Sequence, residues 1–142
     1  MRLWHYELIE ALPDSQLVAQ WRELNSIYKN QPKHILINYV YDYPKEDLLN
    51  YSDIVIAEML RRGFKVNADN FKIYFAGVDT NTWDTPFKQH HTNRYLLQCF
   101  VNLQKKYDRG QKDFTTPVYN ELYDIVSLRL GPEFTKNIFY LQ

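Results

Sequence analysis

Leu48, Tyr51, Val55 and Met59 recur at intervals of three and four residues, and an α-helix is the regular structure that places positions so spaced on one face. Leu49, Ile56 and Leu60 widen the stripe, which predicts a helix over about 45–62 that is buried on more than one side. Its end is written in the sequence: Arg61 and Arg62 fall in the last turn, Gly63 suits the left-handed position beyond it, and Phe64 can fold back onto the helix. Leu17, Trp21, Leu24 and Tyr28 repeat the pattern over about 13–28, with Asp14 as the expected N-cap. A third stripe over about 92–108 uses Leu97, Phe100, Val101 and Gln104, with Thr92 as cap and Gly110 as stop. Thr116-Pro117 and Gly131-Pro132 bracket a fourth helix as an N-cap with proline after it and a closing turn.

Two stretches resist this reading. HILINYVY at 34–41 is β-branched and aromatic enough for a short strand but reads equally as a buried helical segment, and it stays unassigned. Residues 71–91 mix turn residues with Trp83 and Phe87 and read as one long ordered loop carrying a strand or helical turn. There is no internal repeat, linker or low-complexity tract. The expected fold is therefore all-α: a compact single-domain helical bundle spanning 1–142 with one long ordered loop.

The 142 residues are 45% hydrophobic and 16% aromatic, which supplies core enough for one domain and excludes a disordered chain. A lone Cys99, set among apolar helix positions, excludes a disulfide framework and reads as an inert core thiol. Glu7, Glu10 and Asp14 interrupt the region where a signal peptide needs an apolar run, so the expected location is the cytoplasm, and no apolar run reaches the ~20 residues of a membrane span. Seventeen basic residues balance seventeen acidic ones, where a nucleic-acid binder usually shows a basic excess. The distribution adds little: residues 36–70 hold four basic and six acidic side chains, residues 71–142 nine and seven.

Chemistry by motif is mostly excluded. The four glycines, 63, 77, 110 and 131, never cluster into a phosphate-cradling loop, which removes P-loop and dinucleotide-binding functions. Among the histidines 5, 34, 90 and 91 only the last two are close in sequence, and adjacent rings rarely reach one ion, so neither a metal nor another cofactor is expected; His90-His91 reads as flanking the third helix. Counted from Leu17 at 100° per residue, Arg22 and Glu23 fall at about 140° and 240°, away from the apolar stripe. By themselves they describe a solvated polar face.

DSQLVAQWREL at 14–24, Lys33-His34, RRGF at 61–64 and the opening MRLWHYELI together resemble the pyrimidine-dimer DNA glycosylase/AP-lyase family of the phage endonuclease V type, across about the first half of the chain. The resemblance implies a nucleophile at the backbone α-amine of the first residue, which attacks C1′ of the damaged nucleotide, forms an imine and permits β-elimination of the strand. It places the essential carboxylate at Glu23 and its neighbouring arginine at Arg22. Aligning Arg2-Leu3 with the family's basic-aliphatic pair puts Met1 where the phage enzyme has threonine, and Ser26 stands where that enzyme has a second arginine. The phage protein's dense C-terminal aromatic-lysine cluster is reduced here to Lys136, Phe139 and Tyr140.

The chemistry stands on its own physical footing. An α-amino group titrates near ~7.7–8.0 against ~10.4 for lysine, so roughly a tenth is free base at pH 7, hundreds of times the lysine fraction. A carboxylate beside it stabilises the cationic character that develops at C1′ as the base leaves and assists the later proton transfers. Arg2, Lys33 and His34 are expected DNA contacts, holding phosphates that flank the opened site, with Arg22 suited to the same task. A stacked base blocks C1′, so the nucleotide must be extruded, and Trp4, Trp83 and Tyr140 are candidate walls for the pocket that results. The expected partner is double-stranded DNA with a damaged or abasic site, bound by a monomer. Two other readings remain open: a non-catalytic nucleic-acid-binding relative, and a helical module for a small molecule or protein.

Overall fold

The computed structural model describes residues 1–79, 85–131 and 134. Every regular element among them is helical: a 3-10 helix Tyr6–Ala11, α1 Asp14–Asn30, a 3-10 helix Asn38–Asp42, α2 Lys45–Arg61, α3 Asp69–Tyr74, α4 Asn93–Asp108 and α5 Thr116–Leu130. The all-α expectation holds, with five α-helices named among the described residues, α3 being the one that the sequence stripes do not mark. Helix α1 packs on α2 and α3, α4 pairs with α5, and the N-terminal 3-10 helix bridges α2 and α5. Among the described residues no helix is long and apolar enough to cross a membrane.

The stripes on α1 and α2 do what their spacing requires. Leu17, Trp21, Leu24 and Tyr28 are all buried, as are Leu48, Tyr51, Val55 and Met59, whereas Leu60 points to solvent. On α4 the buried face is rotated by about one residue from the expected one, running through Leu96, Cys99, Phe100, Leu103 and Gln104 and leaving Leu97 and Val101 half-buried. Burial pushes the Cys99 thiol up to about 11, consistent with an unreactive core group. Helix α5 starts one residue earlier than its sequence signal: Thr115, not Thr116, accepts from Val118 N–H, and Pro117 follows in the first turn.

The cap of α1 is also displaced. Pro13 occupies the N-cap, and its carbonyl accepts from Gln16 and Leu17 N–H, both at 3.0 Å. Asp14 is drawn instead to Arg62 at 2.9 Å. The capping carboxylate comes from far along the chain, since Asp113 takes the Ser15 amide at 2.7 Å and its hydroxyl at 2.8 Å. The segment 34–41 is neither strand nor α-helix. Asn38 Oδ1 accepts from His34 N–H at 2.8 Å and the His34 carbonyl from Ile37 and Asn38, which closes a turn leading into the 3-10 helix. Residues 71–91 are not one loop, because 71–74 belong to α3.

RRGF at 61–64 is a structural clasp. Gly63 adopts φ +86°, and Phe64 N–H returns to the Met59 carbonyl at 3.0 Å, closing α2 as its composition predicts. Arg62 donates to the Leu12 carbonyl at 2.7 Å, to that of Glu10 at 3.1 Å and to Glu58 at 2.7 Å, tying the end of α2 to the N-terminal 3-10 helix. Burial alone would raise the Glu58 carboxyl, but Arg61 and Arg62 hold it below the usual range.

Two buried histidines also anchor the N-terminal segment. His5 Nδ1 accepts from Glu7 N–H at 3.1 Å, leaving Nε2–H to donate to the His91 carbonyl at 2.9 Å. His91 Nδ1 accepts from Tyr6 N–H at 3.3 Å, with its Nε2 2.8 Å from the Tyr39 hydroxyl. Burial lowers His5 to about 4 and His91 further. Above pH ~6.5 both rings are neutral whether folded or not, and they contribute no pH dependence; below it the unfolded chain takes up protons that the fold refuses. Stability should therefore fall by about 1.4 kcal/mol per histidine for each pH unit from ~6.5 down toward 4. Urea unfolding at pH 7.5, 6.0 and 5.0 checks this, and an unchanged midpoint across that range would contradict it.

Candidate active site

The N-terminus emerges from the core at a defined place. Leu3 is fully buried and Trp4 nearly so, while Met1 is 37% exposed, so the first residue stands at the surface on a fixed base. Gln20, on the same side of α1 as Glu23, binds the extended N-terminal segment. Its Nε2 donates to the Arg2 carbonyl at 3.0 Å and its Oε1 accepts from Trp4 N–H at 2.8 Å. Glu23 Oε2 accepts from Arg2 N–H at 3.3 Å and from Gln20 Nε2 at 3.2 Å. Consecutive backbone nitrogens lie at most about 3.7 Å apart, which puts the Met1 amine within about 7 Å of that carboxylate. Among the described residues the amine forms no ion pair with a carboxylate.

Met1, Arg2, Trp4, Gln20 and Glu23 line one side of a cleft of about 370 Å³, a size within the ~300–1,000 Å³ of ordinary ligand sites. Asn102, Lys105, Lys106 and Arg109 of α4 form the facing wall, and Leu36 sits at the cleft as well. Four cationic side chains thus line the same cleft as one carboxylate, a field suited to a polyanion.

Of the residues singled out in the sequence, Met1, Arg2, Glu23 and Trp4 meet here. The Arg2 guanidinium lies 5.4 Å from the Trp4 ring centroid. Arg22 does not join them: about 100° further round α1, it lines a separate groove of about 510 Å³ with Asn25, Ser26 and Lys29. Lys33 and His34 are exposed on the segment leading to Leu36; the Lys33 ammonium rests 4.8 Å over the Tyr41 ring, and His34 Nδ1 accepts from Leu36 N–H. Trp83 and Tyr140, with Lys136 and Phe139, lie outside the described residues.

The α4 wall is what the sequence reading missed. Asn102, Lys105, Lys106 and Arg109 stand at i, i+3, i+4 and i+7, a polar stripe on a helix whose other face is core. Whole-chain neutrality hid it, because charge counts over long windows average away a row of three cations on one helical face. The same spacing test that found the apolar stripes would have found this one.

The family model described as pyrimidine dimer DNA glycosylase matches residues 1–71. This half contains the N-terminal segment, α1, α2 and the clasp at 61–64, while the cationic stretch of the cleft lining lies beyond it. No curated protein and no solved structure matches the chain. With half its length matched by that family's model, the chain belongs to the pyrimidine dimer DNA glycosylase family.

Proposed function

We propose that this protein is a DNA repair glycosylase with AP-lyase activity, using the Met1 α-amine as nucleophile and Glu23 as its acid-base and electrostatic partner. The observation that carries the reading is the hydrogen bond from Arg2 N–H to Glu23, which holds the start of the chain and the carboxylate at one cleft. The free amine forms a bond to C1′ as the glycosidic C1′–N bond breaks, its electron pair leaving with the base. Opening of the sugar then gives the imine, O4′ taking a proton. At an abasic site the same amine adds to the C1′ aldehyde with loss of water. Loss of a C2′ proton from the imine expels the 3′ phosphate by β-elimination, and water returns the amine.

Glu23 offers negative charge while C1′ is electron-poor and a proton acceptor afterwards. Lys105, Lys106, Arg109 and Arg2 supply the phosphate contacts, with Lys33 and His34 extending them along the duplex. Trp4 gives the extruded nucleotide an aromatic wall. The cleft is built within one chain, so the proposed chemistry needs no residue from a second copy.

Borohydride reduces an imine to a stable amine and so tests the reading. Protein with a free Met1 should be trapped on duplex carrying an abasic site, and acetylation or an N-terminal tag should lower trapping at least ~100-fold. Trapping that is indifferent to the block would contradict it.

A further inference from the structure

We infer that Gln20 is the positioning residue of this site, the group that holds the N-terminal segment in the register at which the amine and Glu23 face the same substrate atom. The inference rests on the catalytic reading above, and it concerns a residue that the chemistry itself does not use. A primary amide has two donor hydrogens and an acceptor oxygen with two lone pairs. In Gln20 both donors are engaged, Nε2 to the Arg2 carbonyl and to Glu23 Oε2, and Oε1 accepts from Trp4 N–H with the Tyr51 hydroxyl 3.0 Å away. Tyr51 stands 2.6 Å from the Trp4 carbonyl and 3.0 Å from Gln20 Oε1, so its single hydroxyl hydrogen is shared between these two acceptors. Burial pushes Tyr51 well above the usual phenol range, which keeps it a donor.

The pattern has a directional consequence. Gln20 is 1% exposed and sits one helical turn before Glu23, so a single amide addresses the segment and the carboxylate together. Without it, Arg2 retains only its own N–H bond to a carboxylate that is free to change rotamer. The α-amine, one residue further out, then loses its fixed distance from Glu23. Terminal residues fray unless tied down, and here the tie is Gln20.

The test compares Gln20→Met and Gln20→Glu with Leu122→Ala, a core truncation in α5 that lowers stability without touching the cleft. In Gln20→Met the Arg2 and Trp4 amides should exchange at least tenfold faster than in the Leu122→Ala protein. Trapping on abasic-site DNA at saturating concentration should fall ~100-fold, with DNA affinity changed less than threefold. In Gln20→Glu the trapping rate relative to wild type should drop further as pH rises from 5 to 8. A neutral carboxyl keeps one donor, whereas a carboxylate keeps none and repels Glu23. Unchanged amide exchange in Gln20→Met, or unchanged trapping despite faster exchange, would overturn the assignment. Failure of the catalytic reading is distinct: it shows in the wild-type protein, which would then not trap at all, while the amide exchange still decides whether Gln20 holds the segment.

Discussion

Replacing Glu23 by glutamine should abolish strand incision at abasic sites, by at least ~10³-fold in single-turnover rate, while the duplex still binds. The substitution is nearly isosteric, and its amide oxygen can accept from Arg2 N–H as the carboxylate does now at 3.3 Å. The N-terminal segment therefore keeps its anchor and the cleft its shape. What disappears is one negative charge and one proton acceptor, the two properties that the proposed reaction needs beside C1′. Removal of a single preorganised electrostatic partner typically costs ~10²–10³ in rate, and in the proposed mechanism the same group also serves as base. Because Glu23 is a carboxylate among cations, its loss should leave affinity for abasic-site duplex equal or slightly tighter. A variant that incises within tenfold of wild type would remove Glu23 from the chemistry.

The second large effect concerns the wall of α4. Changing Lys105, Lys106 and Arg109 together to alanine should weaken duplex binding roughly 10²- to 10³-fold near 0.1 M salt. It should also reduce the slope of log K against log salt by about 2.7, close to 0.9 for each phosphate that the three cations neutralise. These residues lie on the exposed side of a helix whose burial depends on Leu96, Cys99, Phe100 and Leu103, so thermal stability should barely change. Binding isotherms between 50 and 200 mM salt give the number, and an unaltered slope would place the phosphates elsewhere. Changing Arg22 to alanine is the useful comparison, because it faces the other groove and should leave the geometry at Met1 unaffected.

What the sequence made legible was what it encodes locally. The stripes of α1 and α2 are periodic over four turns, and Gly63 with Phe64 marks a helix end through its own backbone. Glu23 and Met1 are singled out only through the resemblance, which covers the half of the chain that the family model also matches. The features that escaped depend on distant partners. The α1 cap is Asp113, about a hundred residues away, so Asp14 looked like the cap while Arg62 was in fact its partner. The β-branched run at 34–41 had no strand to pair with, and a local Asn38 side chain captured its backbone instead. Gln20 carries no motif of its own, and its role depends on the N-terminal segment that the fold lays beside it. The α4 wall was concealed by a net charge of zero, which describes the whole chain and says nothing about where seventeen cations sit.

Three primary amines bear on the central claim, since the cleft holds Lys105 and Lys106 as well as the start of the chain. Reduction of the protein–DNA imine with borohydride, followed by nuclease and protease digestion and mass spectrometry, identifies the nitrogen that attacked. The account predicts the sugar remnant on the α-nitrogen of Met1, in the N-terminal peptide. A remnant on the side chain of Lys105 or Lys106 would contradict it and move the nucleophile to the opposite wall of the cleft.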